Sequence, residues 1–311
     1  MNSKNRFLIF SFDAGGANET MAYGYFLHKQ GHKVLCYPKG PAINIFNQHI
    51  PFLVEEKDPQ LQKEDIIITG TSGIHSNYEL EITKQAKELN LKVITLLDSS
   101  DELLIRFSID GIKIIDKNYL PDQIVHQEEG LHTDIEVLNS KLIYHKSFYL
   151  EYLKSFYYES KVHLNNSTIK KYENRYILLV TEYIEELFGN RYGFNEFDVC
   201  KHLFNAISKV DKNIPVLLKT HPAEKLKKYD SLIRQYPDLH IHRENFIIQE
   251  AVKYSRCVMG INSSVFKEST LISKPTYSIQ INRTQEIVSI LPKEDILISF
   301  EELEKVLQTL F

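Results

Sequence analysis

Four short stretches of the sequence put polar and charged residues where chemistry is possible. Lys219-Thr220-His221-Pro222 closes the apolar run 215–219, and Pro222 stops the strand, so His221 is expected at a strand's carboxyl end. An imidazole there donates a hydrogen bond or a proton to a phosphate oxygen, and Lys219 adds charge. Gly260-Ile261-Asn262-Ser263-Ser264 reads as strand, turn and helix start, with Ser263 standing 42 positions after His221. Two adjacent serines at a helix start offer hydroxyls and free backbone N–H groups to an anion. Glu268, one turn further, either accepts hydrogen bonds from ribose hydroxyls or completes the helical turn. Asp13-Ala14-Gly15-Gly16-Ala17-Asn18-Glu19 follows the first apolar run and opens the first helix. Its glycines allow a tight turn and a close approach of backbone to ligand, with Asn18 and Glu19 alongside. Asp98-Ser99-Ser100-Asp101 follows the apolar run 92–97. Each stretch has an ordinary structural alternative: a satisfied loop histidine, an N-capping Ser263, an Asp13 that caps its turn or helix, and a solvated acidic turn at Asp98.

These residues need elements to hold them, and hydrophobic periodicity supplies the expectation. Residues 6–12 read as a strand, 18–30 as a helix, 32–37 as a strand, and 65–69 as a buried strand before the turn Gly70-Thr71-Ser72-Gly73. Residues 77–89 have helical spacing, 92–97 read as a buried strand, and 112–115 as another. The aromatic stretch 142–160 is expected to be helical, and the polar stretch 161–174 to be a linker. The alternation then restarts: strands at 176–181, 215–219, 240–242, 257–260 and 276–281, and helices at 197–210, 225–235, 247–254, 264–272 and 300–311. Strands alternating with helices predict parallel sheets with crossover helices. The expected domains are 1–160 and 175–311, joined by 161–174, with the last helix able to pack back on the first domain.

Composition narrows the class. The 311 residues make about two domains at roughly 150 residues each. A formal charge of −4 offers no basic face of the kind that nucleic acid recruits. Three scattered cysteines make no disulfide framework and no zinc-ligand spacing. The run 7–12 stops at Asp13, short of a signal-peptide core, and no run approaches the roughly 20 apolar residues of a membrane span. The chain is expected to be cytoplasmic, meeting its substrates in the cytosol or peripherally at the inner face of a membrane. The glycines do not form G-x-G-x-x-G, and Walker A and Gly-x-Ser-x-Gly patterns are absent.

The pair His221-Pro222 and Ser263-Ser264 resembles the bacterial sialyltransferases and their polysialyltransferase and capsule-transferase relatives. In those families the His-Pro and Ser-Ser motifs hold the phosphate of a CMP donor. Gln249-Glu250-Ala251 with Tyr254-Ser255 is similar to the helix that precedes their serine motif. The resemblance covers most of 176–281 and implies the α/β GT-B architecture: two Rossmann-like parallel-sheet domains facing a central cleft. It implies an inverting glycosyltransferase moving a CMP-activated sialic acid, another nonulosonic acid or Kdo to a bacterial surface glycan or glycoprotein. His221, Pro222, Lys219, Gly260, Ser263, Ser264 and Glu268 would then form the donor side. Asp13 would be the general base, with Gly15, Gly16, Asn18 and Glu19 beside it. The stretch from Thr69-Gly70-Thr71-Ser72 through Glu79 and Asp98 to Arg106-Phe107 resembles uncharacterised surface-polysaccharide transferases, so Asp98 would orient the acceptor or be the base. The Asp-x-Asp metal clamp of the other main glycosyltransferase architecture is absent. A histidine and a helix start can stabilise a departing CMP without metal, so no cofactor is expected; the nucleotide sugar is a co-substrate. Rival readings on the same fold are a UDP-sugar epimerase, a CDP-glycerol-type transferase and a non-catalytic nucleotide-sugar-binding partner.

Overall fold

The computed structural model describes residues 5–73, 76–100, 103–109, 116–159, 166–221, 224–225, 227–243 and 246–311. The strand expected at 112–115, and the residues Asp101 and Pro222, lie outside them. The chain divides into two compact units, Met1–Tyr152 and Leu153–Phe311.

The first unit runs β1 (Arg6–Ser11), α1 (Ala14–Lys29), β2 (Lys33–Pro38), α2 (Ala42–His49), β3 (Ile66–Thr69), α3 (Tyr78–Glu88) and β4 (Lys92–Leu96). It continues with α4 (Leu103–Arg106), β5 (Gln123–His126), α5 (Glu136–Asn139), β6 (Leu142–Tyr144) and α6 (Phe148–Leu153). All six strands are parallel, in the order β2-β1-β3-β4-β5-β6. β1 is buried on both faces, which is why its sequence is a continuous apolar run and does not alternate. Leu8, Ile9 and Phe10 are fully buried, each contributing about 1.5–3 kcal/mol. The chain leaves β1 toward β2 on one side and returns as β3 on the other, so the strand order switches between β1 and β3.

The second unit holds α7 (Ser167–Lys171), β7 (Ile177–Val180), α8 (Ile184–Phe188), α9 (Glu196–Val210), β8 (Val216–Lys219), α10 (Asp230–Ile233) and β9 (Ile241–His242). Then come α11 (Ile248–Tyr254), β10 (Cys257–Gly260), α12 (Val265–Leu271), β11 (Thr276–Ile279), β12 (Ile296–Leu297) and α13 (Phe300–Leu310). Its six parallel strands follow the order β12-β11-β10-β7-β8-β9. Counted within the unit this is the doubly wound Rossmann order, with the switch between β7 and β10. α9 and α13 bury Leu203, Ile207, Leu303 and Leu307 in one core with β7, β8 and β10. Both helices start in capping boxes, Asn195 with Asp198 and Ser299 with Glu302. Cys36 in the first unit and Cys200 and Cys257 in the second are free thiols, all buried.

Several elements differ from expectation. α1 starts at Ala14, because its first turn includes the glycines. The stretch 142–160 divides into β6, α6 and a π-helical turn, Lys154–Tyr158. Residues 167–171, inside the expected linker, form α7, capped by Asn166, whose side chain accepts the N–H groups of Thr168 and Ile169. Among the described residues of the helix expected over 225–235, only Asp230–Ile233 is α-helical.

Two glycines let the layers meet at the first switch point. A Cβ on Gly16 would lie 2.8 Å from both the N and the O of Thr71, main-chain atoms that cannot turn aside. Gly70 is equally tight, 2.7 Å from Ser11 Oγ and 3.2 Å from the Gly16 main chain. We expect Gly16→Ala to cost about 1–3 kcal/mol in urea unfolding. A loss under about 0.5 kcal/mol would mean that α1 slides freely against the β3 loop.

Candidate functional site

Parallel sheets of this kind bind ligands outside the carboxyl ends of their strands, at the switch point. In the first unit the chain leaves β1 through Phe12 and Asp13, and leaves β3 through Gly70-Thr71-Ser72-Gly73. Glu79, buried on α3, ties the two together. Its Oε1 accepts Phe12 N–H at 2.7 Å, and its two oxygens accept Ser72 Oγ–H at 3.0 and 2.9 Å. Burial pushes its carboxyl upward against those bonds, and the charge of Asp13 adds to the rise. Asp13 is the N-cap residue of α1 but makes no side-chain cap. Its Oδ2 instead accepts Gly73 N–H at 2.9 Å. The alternative that Asp13 caps the helix is therefore not what the structure holds.

Asp98, at the end of β4, reaches the same place. Arg106 Nη1 donates to its Oδ1 at 2.7 Å and to Thr71 Oγ1 at 2.9 Å, and Thr71 Oγ1 donates to the same Oδ1 at 3.2 Å. Asp98 Oδ2 lies over Gly15, where a Cβ would stand 2.0 Å from it. A carboxylate at the first turn of α1 is favoured by the helix dipole. Beneath these loops a cavity of about 10 Å³, close to the space one water needs, is lined by Thr71, Ser72, Glu79 and Arg106 together with the apolar Leu80 and Phe107. Asn18 is half-buried in α1. Glu19 is buried, and its carboxylate takes Ser147 Oγ–H at 2.5 Å and Phe148 N–H at 2.9 Å at the start of α6. Burial drives Glu19 up to about 7 against these bonds, and the charge of Asp98 adds to the rise.

In the second unit the switch point joins the ends of β7 and β10. Gly260 lies against Val180, whose O and Cγ2 would be 2.8 Å from a Cβ. Ser263 Oγ accepts Val265 N–H at 3.3 Å, while Ser264 holds the N-cap position of α12 in helical geometry with no side-chain cap, exposed. Glu268 is buried on α12, its Oε2 accepting Tyr158 O–H and Gln249 Nε2–H, each at 3.2 Å. Burial pushes it up to about 7. His221 is exposed; its main-chain N–H donates to Glu224 Oε2 at 2.9 Å and Thr181 Oγ1 at 3.2 Å, and its ring lies parallel to that of Tyr183 with centroids 6.4 Å apart. Lys219 turns toward Phe246, with Nζ 3.4 Å from its carbonyl and 5.4 Å from its ring centre, and burial lowers its pKa.

The structure thus groups Asp13, Gly15, Gly16 and Asp98 at one switch point. At the other it groups Gly260 with Ser263 and Ser264. Glu19 is spent on capping α6. Sequence reasoning named Glu79 only as part of the stretch running to Asp98 and Arg106, without its role in tying the loops, and it passed over Glu182. Glu182 follows β7 and accepts the N–H groups of Ile261 at 3.2 Å and Asn262 at 2.5 Å. Burial pushes it up to about 7 against those two bonds, and the charges of Glu196 and Glu224 add to the rise. Its position, two residues past a fully apolar strand, was a usable signal. Glu185, Glu186 and Glu196 also bring three carboxylates within 4.8 Å. Lys228 already stands there as the cation, bonding Glu196, Glu186 at 2.9 Å and Glu224 at 2.9 Å. Burial would lower its pKa, but the three carboxylates outweigh that and raise it.

No family model matches the sequence, and no curated protein does. Solved structures do. The chain is similar to a UDP-GlcNAc 2-epimerase from Neisseria meningitidis bound to UDP-GlcNAc, with TM-score 0.61 and 11% identity over 98% of this chain and 91% of that one. It is similar to the Methanocaldococcus jannaschii UDP-GlcNAc 2-epimerase in complex with UDP-GlcNAc and UDP, with TM-score 0.57 and 12% identity over 98% and 92%. A glycosyltransferase from Rickettsia africae ESF-5 follows, with TM-score 0.55 and 12% identity over 99% and 88%. Likeness at such identities carries the fold alone. The chain has the α/β GT-B fold, with two Rossmann-like parallel-sheet domains, as expected.

Glu19, Glu182 and Glu268 keep their protons in the folded state to about 7, above their ordinary 4.5. Between those values the folded protein binds more protons than the unfolded chain, so stability falls as pH rises through the window. Glu19→Gln removes one such group. It is expected to raise the urea midpoint at about pH 8 by the equivalent of about 1–2 kcal/mol and to leave it unchanged at about pH 4. Equal shifts at both pH values would mean that Glu19 ionises as an ordinary carboxyl.

Proposed function

We propose that this chain is an enzyme of nucleotide-sugar chemistry that holds a UDP-linked sugar on its second unit. The observation that carries the reading is the pairing of site types. The second unit presents the exposed Ser264 hydroxyl in the loop after β10 and the exposed His221 imidazole after β8, groups suited to phosphate. The first unit presents two carboxylates, Asp13 and Asp98, each held by hydrogen-bond donors. Ser264 and His221 are exposed, and Ser263 lies between them and the buried Glu268 in character. These residues would receive the donor's phosphates, with Glu268 toward the ribose.

Support for UDP over the CMP donor implied by the sialyltransferase resemblance comes from the epimerases of the same fold described with UDP or UDP-GlcNAc. Epimerisation is accordingly the leading reaction class. Inverting a sugar carbon that bears hydrogen requires one group to take a proton and another to return it. Asp13 and Asp98 supply two carboxylates at the end of one sheet, each oriented by its own donor. Inverting sugar transfer is the second reading. It is favoured by the likeness to a glycosyltransferase, and it needs only one of these carboxylates as base. Both reactions are proposed as metal-free; in the Glu185, Glu186 and Glu196 cluster, Lys228 pairs with Glu186 and Glu196.

Two measurements test this. UDP at about 100 times its dissociation constant should stabilise the protein by about 2.7 kcal/mol, and CMP at the same concentration by much less. The reverse order would restore the CMP-linked donor. In deuterated water with excess chelator and no acceptor, UDP-GlcNAc should take up deuterium at carbon and yield a second epimer. Asp98→Asn and Asp13→Asn should each slow this by about 10²–10⁴ with nucleotide binding retained. Turnover that appears only when an acceptor sugar is added would establish transfer. Loss in chelator, restored by Mg²⁺, would overturn the metal-free chemistry.

A further inference from the structure

The loop between β10 and α12 is fixed from both sides. Glu182 Oε1 accepts the N–H groups of Ile261 and Asn262. The carbonyl of Ile261 is taken by Ser278 Oγ–H at 2.6 Å. Gln280 Nε2 in turn donates to Ser278 Oγ at 3.0 Å and to Ile287 O at 2.9 Å, and Gln280 Oε1 accepts Ile287 N–H at 3.1 Å. Ser278 and Gln280 are wholly buried. With Gly260 lying tight against Val180, both peptide planes of Ile261 are held, and the chain has one path into Ser263-Ser264.

We propose that Glu182 is a positioning residue of the donor site: by holding the N–H groups of Ile261 and Asn262 it sets the loop that presents Ser263 and Ser264, and its carboxylate stands beside the anion they receive. This rests on the reading that the second unit binds a nucleotide sugar. The charges facing Glu182 are those of Glu196, at the start of α9, and Glu224, in the loop after β8. Lys228 bonds both of them. His221 shares the loop of Glu224, through its main-chain N–H. The β10–α12 loop contributes main-chain N–H groups. A neutral Glu182 still offers an oxygen to the two N–H groups, whereas an ionised one adds a negative charge next to the donor's phosphates. Since burial sets its titration at about 7, donor affinity falls as pH rises through that value.

The test is calorimetric titration with UDP-GlcNAc, whose pyrophosphate diester does not titrate in this range, below and above pH 7. Wild type, Glu182→Gln and Glu182→Ala are compared, with His221 retained in all three. Wild type should bind about tenfold more weakly on the alkaline side. Glu182→Gln, which keeps an acceptor oxygen without the charge, should bind at both pH values as wild type does below 7. Glu182→Ala should bind about tenfold more weakly at both, with faster hydrogen exchange at the Ile261 and Asn262 amides. The proposal is overturned if Glu182→Gln follows the wild-type pH profile, or if Glu182→Ala matches wild type in affinity and exchange. If wild type binds no nucleotide sugar at any pH, the reading of the second unit falls, and this assignment falls with it.

Discussion

At each switch point the chain leaves its strands through loops whose backbone N–H groups have lost their ladder partners, and a glutamate takes them up, buried in one case and half-buried in the other. Glu79 joins the loop after β1 to the loop after β3; Glu182 joins the end of β7 to the loop after β10. A buried carboxylate is costly unless charged or polar donors surround it, and a buried unpaired N–H is costly as well. Each glutamate settles both costs at once. Removing one leaves a loop with free amides at the place where the candidate ligands would sit. The positions of Asp13, Ser263 and Ser264 therefore depend on residues that have no assigned part in the chemistry.

The carboxylates nearest the first switch point are held differently from one another. Asp13 has one oxygen on Gly73 N–H. Asp98 has one oxygen shared between Arg106 and Thr71, while the other overhangs Gly15. Glu19, one turn along α1, faces the start of α6 and is unlike both. Three acidic side chains that look equivalent in sequence thus have three separate jobs: tying a loop, standing over a helix start and capping a helix.

The architecture was legible because the central strands of both sheets are buried on two faces. β1, β7, β8 and β10 are short apolar runs, and β10 falls at 257–260 as read. β5 and β12 were passed over for opposite reasons. Gln123–His126 has only two apolar residues, flanked by polar ones, and Ile296–Leu297 is too short to show a period. β6 was absorbed into an aromatic stretch whose composition suits helix and strand alike. At the sites, the glycine and serine motifs were visible because their neighbours in sequence are their neighbours in space. The clamps were not. Phe12 and Glu79 are 67 positions apart, and Glu182 and Asn262 are 80 apart. They meet only because the strand order reverses between them, and composition carries no trace of that.

The three cysteines are silent in the folded chain. Burial pushes the Cys36 and Cys200 thiols far above their ordinary value, and that of Cys257 to about 12. Alkylation needs an accessible thiolate, so the folded chain presents no reactive sulfur to a labelling reagent. Any label that appears must have entered through an opened state. Because Cys36 belongs to one unit and Cys200 and Cys257 to the other, the peptide that carries the label names which unit opened. The wild-type sequence is thereby its own two-channel clock for local unfolding, with no engineered probe.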